Sequence, residues 1–240
     1  MKQLKQCLIL AGGLGTRLKP LTNDIPKPMI PVGDKPFLEL QMQYLISQGI
    51  HHFILAVGYR CKKIIEYFGS GEKWQIKIDY AIEKELLGTG GAIKNAEKFL
   101  DESFLVVNGD TYLEIDLQAC VKQYNKKGLP ILMVLKEVAD VSRYGSVQLT
   151  NADIVEKFTE KNLTTTTGLI NAGCYILNKE EVLNEIPSNQ KTSIETEVFP
   201  KFVGKISGYR TDANFIDIGT FDSYQKFVNE MANRVNHPTI

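Results

Sequence analysis

The sequence predicts a layered α/β protein: a mostly parallel, mixed central sheet covered by helices on both faces, with a smaller antiparallel extension forming a lid on one side. Three observations carry this reading. Short apolar runs rich in β-branched residues alternate with amphipathic helical patterns through the first half, as right-handed βαβ units require. From Tyr144 onward the texture changes to short strands paired across a tight turn, the mark of antiparallel pairing. No Pro/Gly/Ser-rich linker and no internal repeat interrupts the 240 residues, so a single domain is expected.

The elements follow in order. Residues 7–11 form a continuous apolar run, as expected of a strand buried on both faces. Phe37, Leu38, Leu40, Tyr44 and Leu45 sit at helical spacing and set a helix over 37–48. Strands at 53–57, 76–82, 104–107 and 131–135 alternate with helices at 61–68, 90–99 and 116–127. Two strands then cross a turn at Asn151-Ala152-Asp153, and a long strand follows over 168–177. A helix from about 193 to 202, strands at 206–209 and 214–218, and a final helix from Phe221 complete the chain. Ligands on such sheets gather at the carboxyl ends of the strands.

Apolar residues make up 43% of the chain and charged residues 23%, proportions that exclude collagen-like, disordered and coiled-coil classes. Lys+Arg and Asp+Glu are both 28, so no global basic field exists to hold nucleic acid or an anionic membrane, and any anion must be bound locally. Cys7, Cys61, Cys120 and Cys174 show neither C-x-x-C pairing nor a histidine at metal-ligand spacing. They read as buried thiols in a reducing compartment, with zinc not expected. His51, His52 and His237 read as structural. The run at 7–11 is too short for a signal-peptide core and nothing later approaches a spanning length, so a cytoplasmic location is expected.

The first strand runs directly into Gly12-Gly13-Leu14-Gly15-Thr16-Arg17-Leu18, whose side-chain-free amides let phosphates approach closely. It is neither a Walker loop, which needs Gly-Lys-Ser/Thr, nor a dinucleotide loop, which needs a third glycine where Leu18 stands. Arg17 lies inside the loop, and Pro26 and Pro28 hold Lys27 on a stiff, extended backbone. A fixed cation beside a glycine cradle suits a polyphosphate.

The stretch LILAGGLGTRLKPLT…PKPMIPVGDKP resembles the signature of the sugar-1-phosphate nucleotidyltransferase family, supported in order by GTGGA at 88–92, NGD at 108–110, YGSV at 144–147, FTEK at 158–161, NAGCY at 171–175 and FIDIGT at 215–220. The resemblance implies a Rossmann-like three-layer fold, with a nucleotide-binding part over about 1–110, a sugar-binding part over about 111–220 and a C-terminal helix over about 221–234. It also implies in-line attack by a sugar phosphate oxygen on the α-phosphorus of a nucleoside triphosphate, releasing pyrophosphate. The attacking group is already an anion, which agrees with a sequence lacking a Ser-His or Cys-His pair.

Carried over residue by residue, Leu10, Ala11, Gly12, Gly13, Gly15, Thr16, Gly88 and Thr89 resemble the nucleotide-binding positions. Arg17 resembles the residue that grips the β- and γ-phosphates, where a permanently charged planar fork suits the leaving pyrophosphate. Lys27 resembles the lysine that neutralises charge near the α-phosphate. Asp110 and Asp217 resemble the ligands of Mg²⁺, a hard cation that takes a few carboxylates and the substrate phosphates. Gly109, Gly145, Glu160, Lys161, Asn171 and Glu195 resemble the sugar phosphate site; Lys161 stands among Glu156, Lys157 and Glu160, so the register also admits Lys157.

Glu83, five residues before Gly88, resembles the family residue that contacts the base edge. Guanine presents two adjacent donors there and a carboxylate accepts both, whereas uracil and thymine place acceptors against it, so Glu83 points to GTP. KPFLELQMQYL, TGLINAGCYIL and TSIETEVFP resemble the D-glycero-D-manno-heptose 1-phosphate guanylyltransferases more than the mannose 1-phosphate enzymes. Mannose or another hexose 1-phosphate, and a catalytically silent nucleotide-sugar-binding regulator, stay open, although the retained Arg17, Lys27, Asp110 and Asp217 argue against silence. The resemblance leaves room for a homodimer. The chain length leaves no place for the C-terminal repeat domain that some members append.

Overall fold

The computed structural model describes residues 4–13, 15–142, 144–159 and 167–236. In order they form β1 (Gln6–Leu10), β2 (Pro31–Val32), β3 (Lys35–Pro36), α1 (Phe37–Ser47), β4 (His52–Val57), α2 (Cys61–Phe68), β5 (Lys77–Ile82), α3 (Gly88–Asn95), β6 (Ser103–Asn108) and β7 (Thr111–Leu113). Then come α4 (Leu117–Lys127), β8 (Ile131–Val138), β9 (Ser146–Leu149), β10 (Val155–Thr159), β11 (Gly168–Asn178), α5 (Lys179–Leu183), β12 (Ile206–Thr211), β13 (Phe215–Asp217) and α6 (Phe221–Asn236).

Seven strands make the central sheet in the order β12-β8-β11-β6-β1-β4-β5. Every neighbouring pair is parallel except those of β11, which runs antiparallel to both β6 and β8. The mixed, mostly parallel sheet expected from the sequence is therefore present, with one long second-half strand wedged into its middle. Leu8, Ile54 and Val106 pack on one face with Ala92, Ile93 and Phe199. Cys7, Ile9, Phe53 and Leu55 pack on the other with Leu38, Met42, Ile64 and Cys120. Burial on both faces explains why the strands read as unbroken apolar runs. A third cluster joins Leu18, Phe37, Tyr112 and Ile218 to Phe227 of α6 and ties the loop after β1 to the end of the chain.

From β1 the chain steps to β4 and β5 on one side, then returns to place β6 on the other side of β1. The gap between the carboxyl ends of β1 and β6 is thus the point where the winding reverses, the favoured ligand position in such sheets.

Several expected boundaries move for identifiable reasons. The helix expected over 90–99 begins at Gly88 and breaks at Ala96 into a 3₁₀ turn over Glu97–Phe99. The helix expected over 193–202 is a π turn, Ile194–Val198, followed by a 3₁₀ turn, Phe199–Phe202. Pro200 in the second segment lacks an N–H and cannot continue regular α-helix. The hairpin across 151–153 forms from β9 and β10, with Asp153 in the left-handed region at φ 54°. The short α5 and β7 were not expected from the sequence. Cys7, Cys120 and Cys174 are buried thiols, but Cys61 is only half-buried because it opens α2, a correction to the reading of all four as buried. His52 bonds Asp79 at 2.7 Å near the amino ends of β4 and β5, away from the strands' carboxyl ends. His237 lies outside the described residues. Among the described residues no helix is long and apolar enough to cross a membrane.

Candidate active site

A cleft of about 490 Å³ opens at the reversal point. Its floor is the end of β1 with Leu10, Ala11, Gly12 and Gly13, and beside it the end of β6 with Asn108, Gly109 and Asp110. The amide of Gly109 donates to the carbonyl of Leu10 at 3.0 Å. A Cβ on Gly109 would stand 2.7 Å from that oxygen, so only glycine lets the two strand ends meet there.

Lys27 enters from the side. Pro26, extended at ψ 149°, feeds a 3₁₀ turn over Lys27–Met29, which buries most of the lysine, leaving it 7% exposed. Its Nζ donates to Oδ2 of Asp110 at 2.7 Å. Gly15 makes room for it: at φ 61° it sits where a Cβ would come within 2.9 Å of the Lys27 Cβ, and its carbonyl accepts from the Thr22 hydroxyl at 2.8 Å. Arg17 is exposed, lines the same cleft and approaches the β13 end, where a Cβ on Gly219 would lie 3.3 Å from Arg17 Nη2 and 2.8 Å from Asp217 Oδ1.

Asp110 and Asp217 come from paired backbone. β13 runs antiparallel to β7 with Asp217 opposite Thr111, and the Ile218 amide donates to the Asp110 carbonyl at 2.9 Å. One oxygen of each carboxylate is engaged, Asp110 Oδ2 by Lys27 and Asp217 Oδ1 by the Gly219 amide at 2.7 Å. The other oxygen of each has no hydrogen bond among the described residues. Two half-engaged carboxylates fit a hard cation that brings water and phosphate as its remaining ligands. No group of three or more His, Cys, Asp or Glu capable of caging a metal occurs among the described residues, so water and, in a complex, substrate oxygens would complete the shell.

At the far end of the cleft, Glu83 follows β5. Its Oε2 accepts the Leu87 amide at 3.0 Å, and its Oε1 stands where a Cβ on Gly12 would be 2.7 Å away. Burial pushes its carboxyl above the ordinary value, with the Leu87 hydrogen bond opposing. Gly88 and Thr89 line the cleft beside it.

The cleft therefore assembles Leu10, Ala11, Gly12, Gly13, Gly15, Arg17, Lys27, Glu83, Gly88, Thr89, Gly109 and Asp110. Thr16 opens the turn that carries Arg17, and its backbone alone is described. Apart from Gly109, the sugar-side residues are dispersed. Glu195 accepts from Thr89 Oγ1 at 2.6 Å, which sets it behind the cleft rim. Asn171 donates to the Tyr175 hydroxyl at 2.7 Å and accepts from the Gly173 amide at 2.9 Å. Gly145 lies in the turn before β9 at φ 77°, and neither it nor Asn171 lines the cleft. Lys157 is in β10. Glu160 and Lys161 lie outside the described residues.

Sequence reasoning missed Asn108, Leu86, Lys191 and Gly219, all cleft-lining. Lys191 is an exposed cation carried in by the segment whose Thr192 amide donates to Leu87 and whose Thr192 carbonyl accepts from Gly90 at 2.8 Å. A Cβ on Gly88 or Gly91 would stand 2.6 Å from the backbone oxygens of Thr192 or Gln190. The signal was the GTGG run itself, which needs something to pack against its bare backbone, though it cannot say what.

A model of the family described as nucleotidyl transferase matches residues 6–234. The chain is 45% identical over 226 residues to a D-glycero-alpha-D-manno-heptose 1-phosphate guanylyltransferase from Campylobacter jejuni, covering 93% of this chain and 98% of that one. It is 39% identical to an enzyme of the same name from Aneurinibacillus thermoaerophilus, covering 96% and 100%. The crystal structure of HddC from Yersinia pseudotuberculosis complexed with GMP-PN superposes with a TM-score of 0.84 at 40% identity, covering 95% of this chain and all of that one.

Proposed function

The chain belongs to the nucleotidyl transferase family, and from that premise we propose that it transfers the guanylyl group of GTP to D-glycero-α-D-manno-heptose 1-phosphate, giving GDP-heptose and pyrophosphate. The observation that carries this reading is a single cleft with a carboxylate suited to guanine at one end and the Lys27–Asp110 pair at the other. The heptose rests on the two relatives of that name, matched over nearly their whole length.

In this reading the base lies against Glu83, whose two oxygens accept the adjacent guanine donors. The triphosphate runs over the amides of Gly12, Gly13 and Gly15, and Arg17 holds the end that leaves. The sugar phosphate oxygen attacks the α-phosphorus as the bond to the bridging oxygen breaks, and pyrophosphate departs with that bond's electrons. No side chain has to become a nucleophile, so the chain's contribution is position and charge. Lys27, already buried and aimed at Asp110, supplies a fixed positive charge that needs no reorganisation when charge builds at phosphorus. A divalent cation, Mg²⁺ in this proposal, would be held by Asp110 and Asp217 and would neutralise phosphate charge. Glu160, Lys161, Asn171, Glu195 and the backbone of Gly109 and Gly145 belong to the sugar side of the proposal. In this proposal the enzyme acts in the cytoplasm as a homodimer on two small-molecule substrates and supplies GDP-heptose for a capsule or lipopolysaccharide.

The test is pyrophosphate release with Mg²⁺ across four nucleoside triphosphates and a panel of sugar 1-phosphates. GTP with the heptose phosphate should give the highest kcat/KM. One extra carbon discriminates by only about 1–3 kcal/mol, so residual mannose 1-phosphate activity is expected. Equal or better values for mannose 1-phosphate would overturn the heptose assignment, and absence of transfer with every pair would overturn the enzyme reading.

A further inference from the structure

Gln41 sits on α1, 5% exposed, and makes no contact with the cleft surface. Its side-chain nitrogen donates to the carbonyl of Asn108 at 2.8 Å and to the carbonyl of Thr111 at 2.6 Å. Those two carbonyls bracket Gly109 and Asp110, the turn between β6 and β7. A primary amide has two N–H donors on one nitrogen, and here both are spent on the same turn from opposite flanks. The orientation of the amide is forced, because turning it would set its oxygen against two carbonyl oxygens.

That arrangement is unusual in its one loose end. The oxygen of Gln41 is buried without a hydrogen-bond partner, beside a small cavity of about 10 Å³ lined by Tyr44, Thr111 and Gly173, a volume that admits about one water. A residue chosen only to fill space would be apolar, since Met occupies nearly the same shape without an unpartnered acceptor. The amide is explained by what its nitrogen holds. Two further bonds fix the turn, Gly109 N–H to the Leu10 carbonyl at 3.0 Å and Ile218 N–H to the Asp110 carbonyl at 2.9 Å. Gln41 supplies the third and fourth restraints, from α1.

We infer that Gln41 is a positioning residue for Asp110: by tying the carbonyls of Asn108 and Thr111 together it sets the direction in which the Asp110 carboxylate meets Lys27 and a divalent cation. The inference rests on the proposed role of Asp110 in the reaction. Outer groups that orient a metal's ligands typically matter by about 10- to 100-fold in metal affinity or activity.

The test uses Gln41→Met, which keeps shape and helix propensity and removes both donors, and Gln41→Asn, which keeps an amide too short to reach both carbonyls. In guanylyl transfer both should raise the Mg²⁺ concentration for half-maximal rate and lower kcat by about 10- to 100-fold, with the KM for GTP within about twofold and a cooperative thermal transition retained. A residue serving only the fold would not separate kcat and metal dependence from KM. Independently of turnover, Mn²⁺ binding followed by water proton relaxation should weaken by a similar factor in both variants and more in Asp110→Asn. Wild-type Mn²⁺ affinity in the Gln41 variants overturns the inference, as does loss of cooperative folding in both. If wild-type protein transfers nothing to any sugar phosphate, the function above fails while the Mn²⁺ comparison still decides the role of Gln41; absence of Mn²⁺ binding by wild-type protein overturns that role as well.

Discussion

At one end of the cleft a buried ammonium meets a carboxylate at 2.7 Å, Lys27 to Asp110. At the other end Glu83 is half-buried with no ion pair among the described residues, holding one backbone amide and facing the bare α-carbon of Gly12. The first end has both signs of charge in place before any ligand arrives, as a phosphate accompanied by a cation requires. The second carries an uncompensated acceptor whose desolvation is already incurred, which burial registers by pushing its carboxyl up. Such a group gains most from a neutral, donor-rich edge and least from another anion. The phosphate end should therefore control the rate, and the base end should control which nucleotide is used.

Asp110→Ala should produce the largest effect, because it removes both the partner of Lys27 and a proposed metal ligand. Metal-centred charge stabilisation is worth several kcal/mol, so a loss of roughly a thousandfold or more in kcat/KM is expected. Asp110 stands on a turn with its side chain 35% exposed, so the thermal transition should remain cooperative. Near-normal pyrophosphate release at saturating Mg²⁺ would remove it from the phosphate end.

Next is the contrast between Lys27→Ala and Arg17→Ala. Lys27 is buried and fixed while Arg17 is exposed, so Lys27 should lose mainly kcat, by about 100-fold, and Arg17 mainly affinity for the nucleotide. Steady-state kinetics separates the two. Equal effects confined to KM would make both residues simple binding groups.

The same contrast explains what was legible in the sequence. The phosphate end is carried by contiguous motifs whose residue types are dictated by backbone: Gly109 by the Leu10 carbonyl, Gly15 by the Lys27 side chain, Pro26 by the extended entry to the lysine turn. Those constraints leave marks within a few residues of the chemistry. Lys191 and Gln41 leave none, since one is a lysine in a polar loop and the other a glutamine on an amphipathic helix. Each gains its place only when a distant segment packs, Thr192 on Gly88 and Gly90, or α1 on the end of β6. The wedge position of β11 was hidden similarly: an apolar strand reads the same whether it extends a sheet edge or enters its middle.

Glu83→Gln sharpens the base end. The amide can still accept from Leu87 through its oxygen, but it offers a donor where guanine also offers one. GTP preference over other triphosphates should fall by about 1–3 kcal/mol, the cost of an unpaired buried group, with kcat for bound GTP much less affected. A wild type that prefers UTP, dTTP or CTP would break the assignment of this end.

The smallest expected effect is on pH dependence, and it tests the comparison at its physical root. Burial raises the Glu83 carboxyl above its ordinary value of 4.5, so the folded protein holds that proton more tightly than the unfolded chain does. A carboxyl raised in this way contributes stability that is fully present below the unfolded value and lost as pH rises through the folded one. At pH 7 ligand-free Glu83→Gln should therefore melt slightly above wild type, and the gap should close as pH falls below the raised folded value. Because Glu83 is only half-buried and solvent screens it, the gain should not exceed about 2–4 °C, the shift about 1 kcal/mol produces in a chain of this size. GTP binding runs the opposite way, since guanine needs the ionised carboxylate. Wild-type affinity should start to fall at a higher pH than an ordinary carboxylate would give, and Glu83→Gln should lack that component while keeping whatever pH dependence belongs to the triphosphate itself. Parallel curves for the two proteins would show that Glu83 does not face the base.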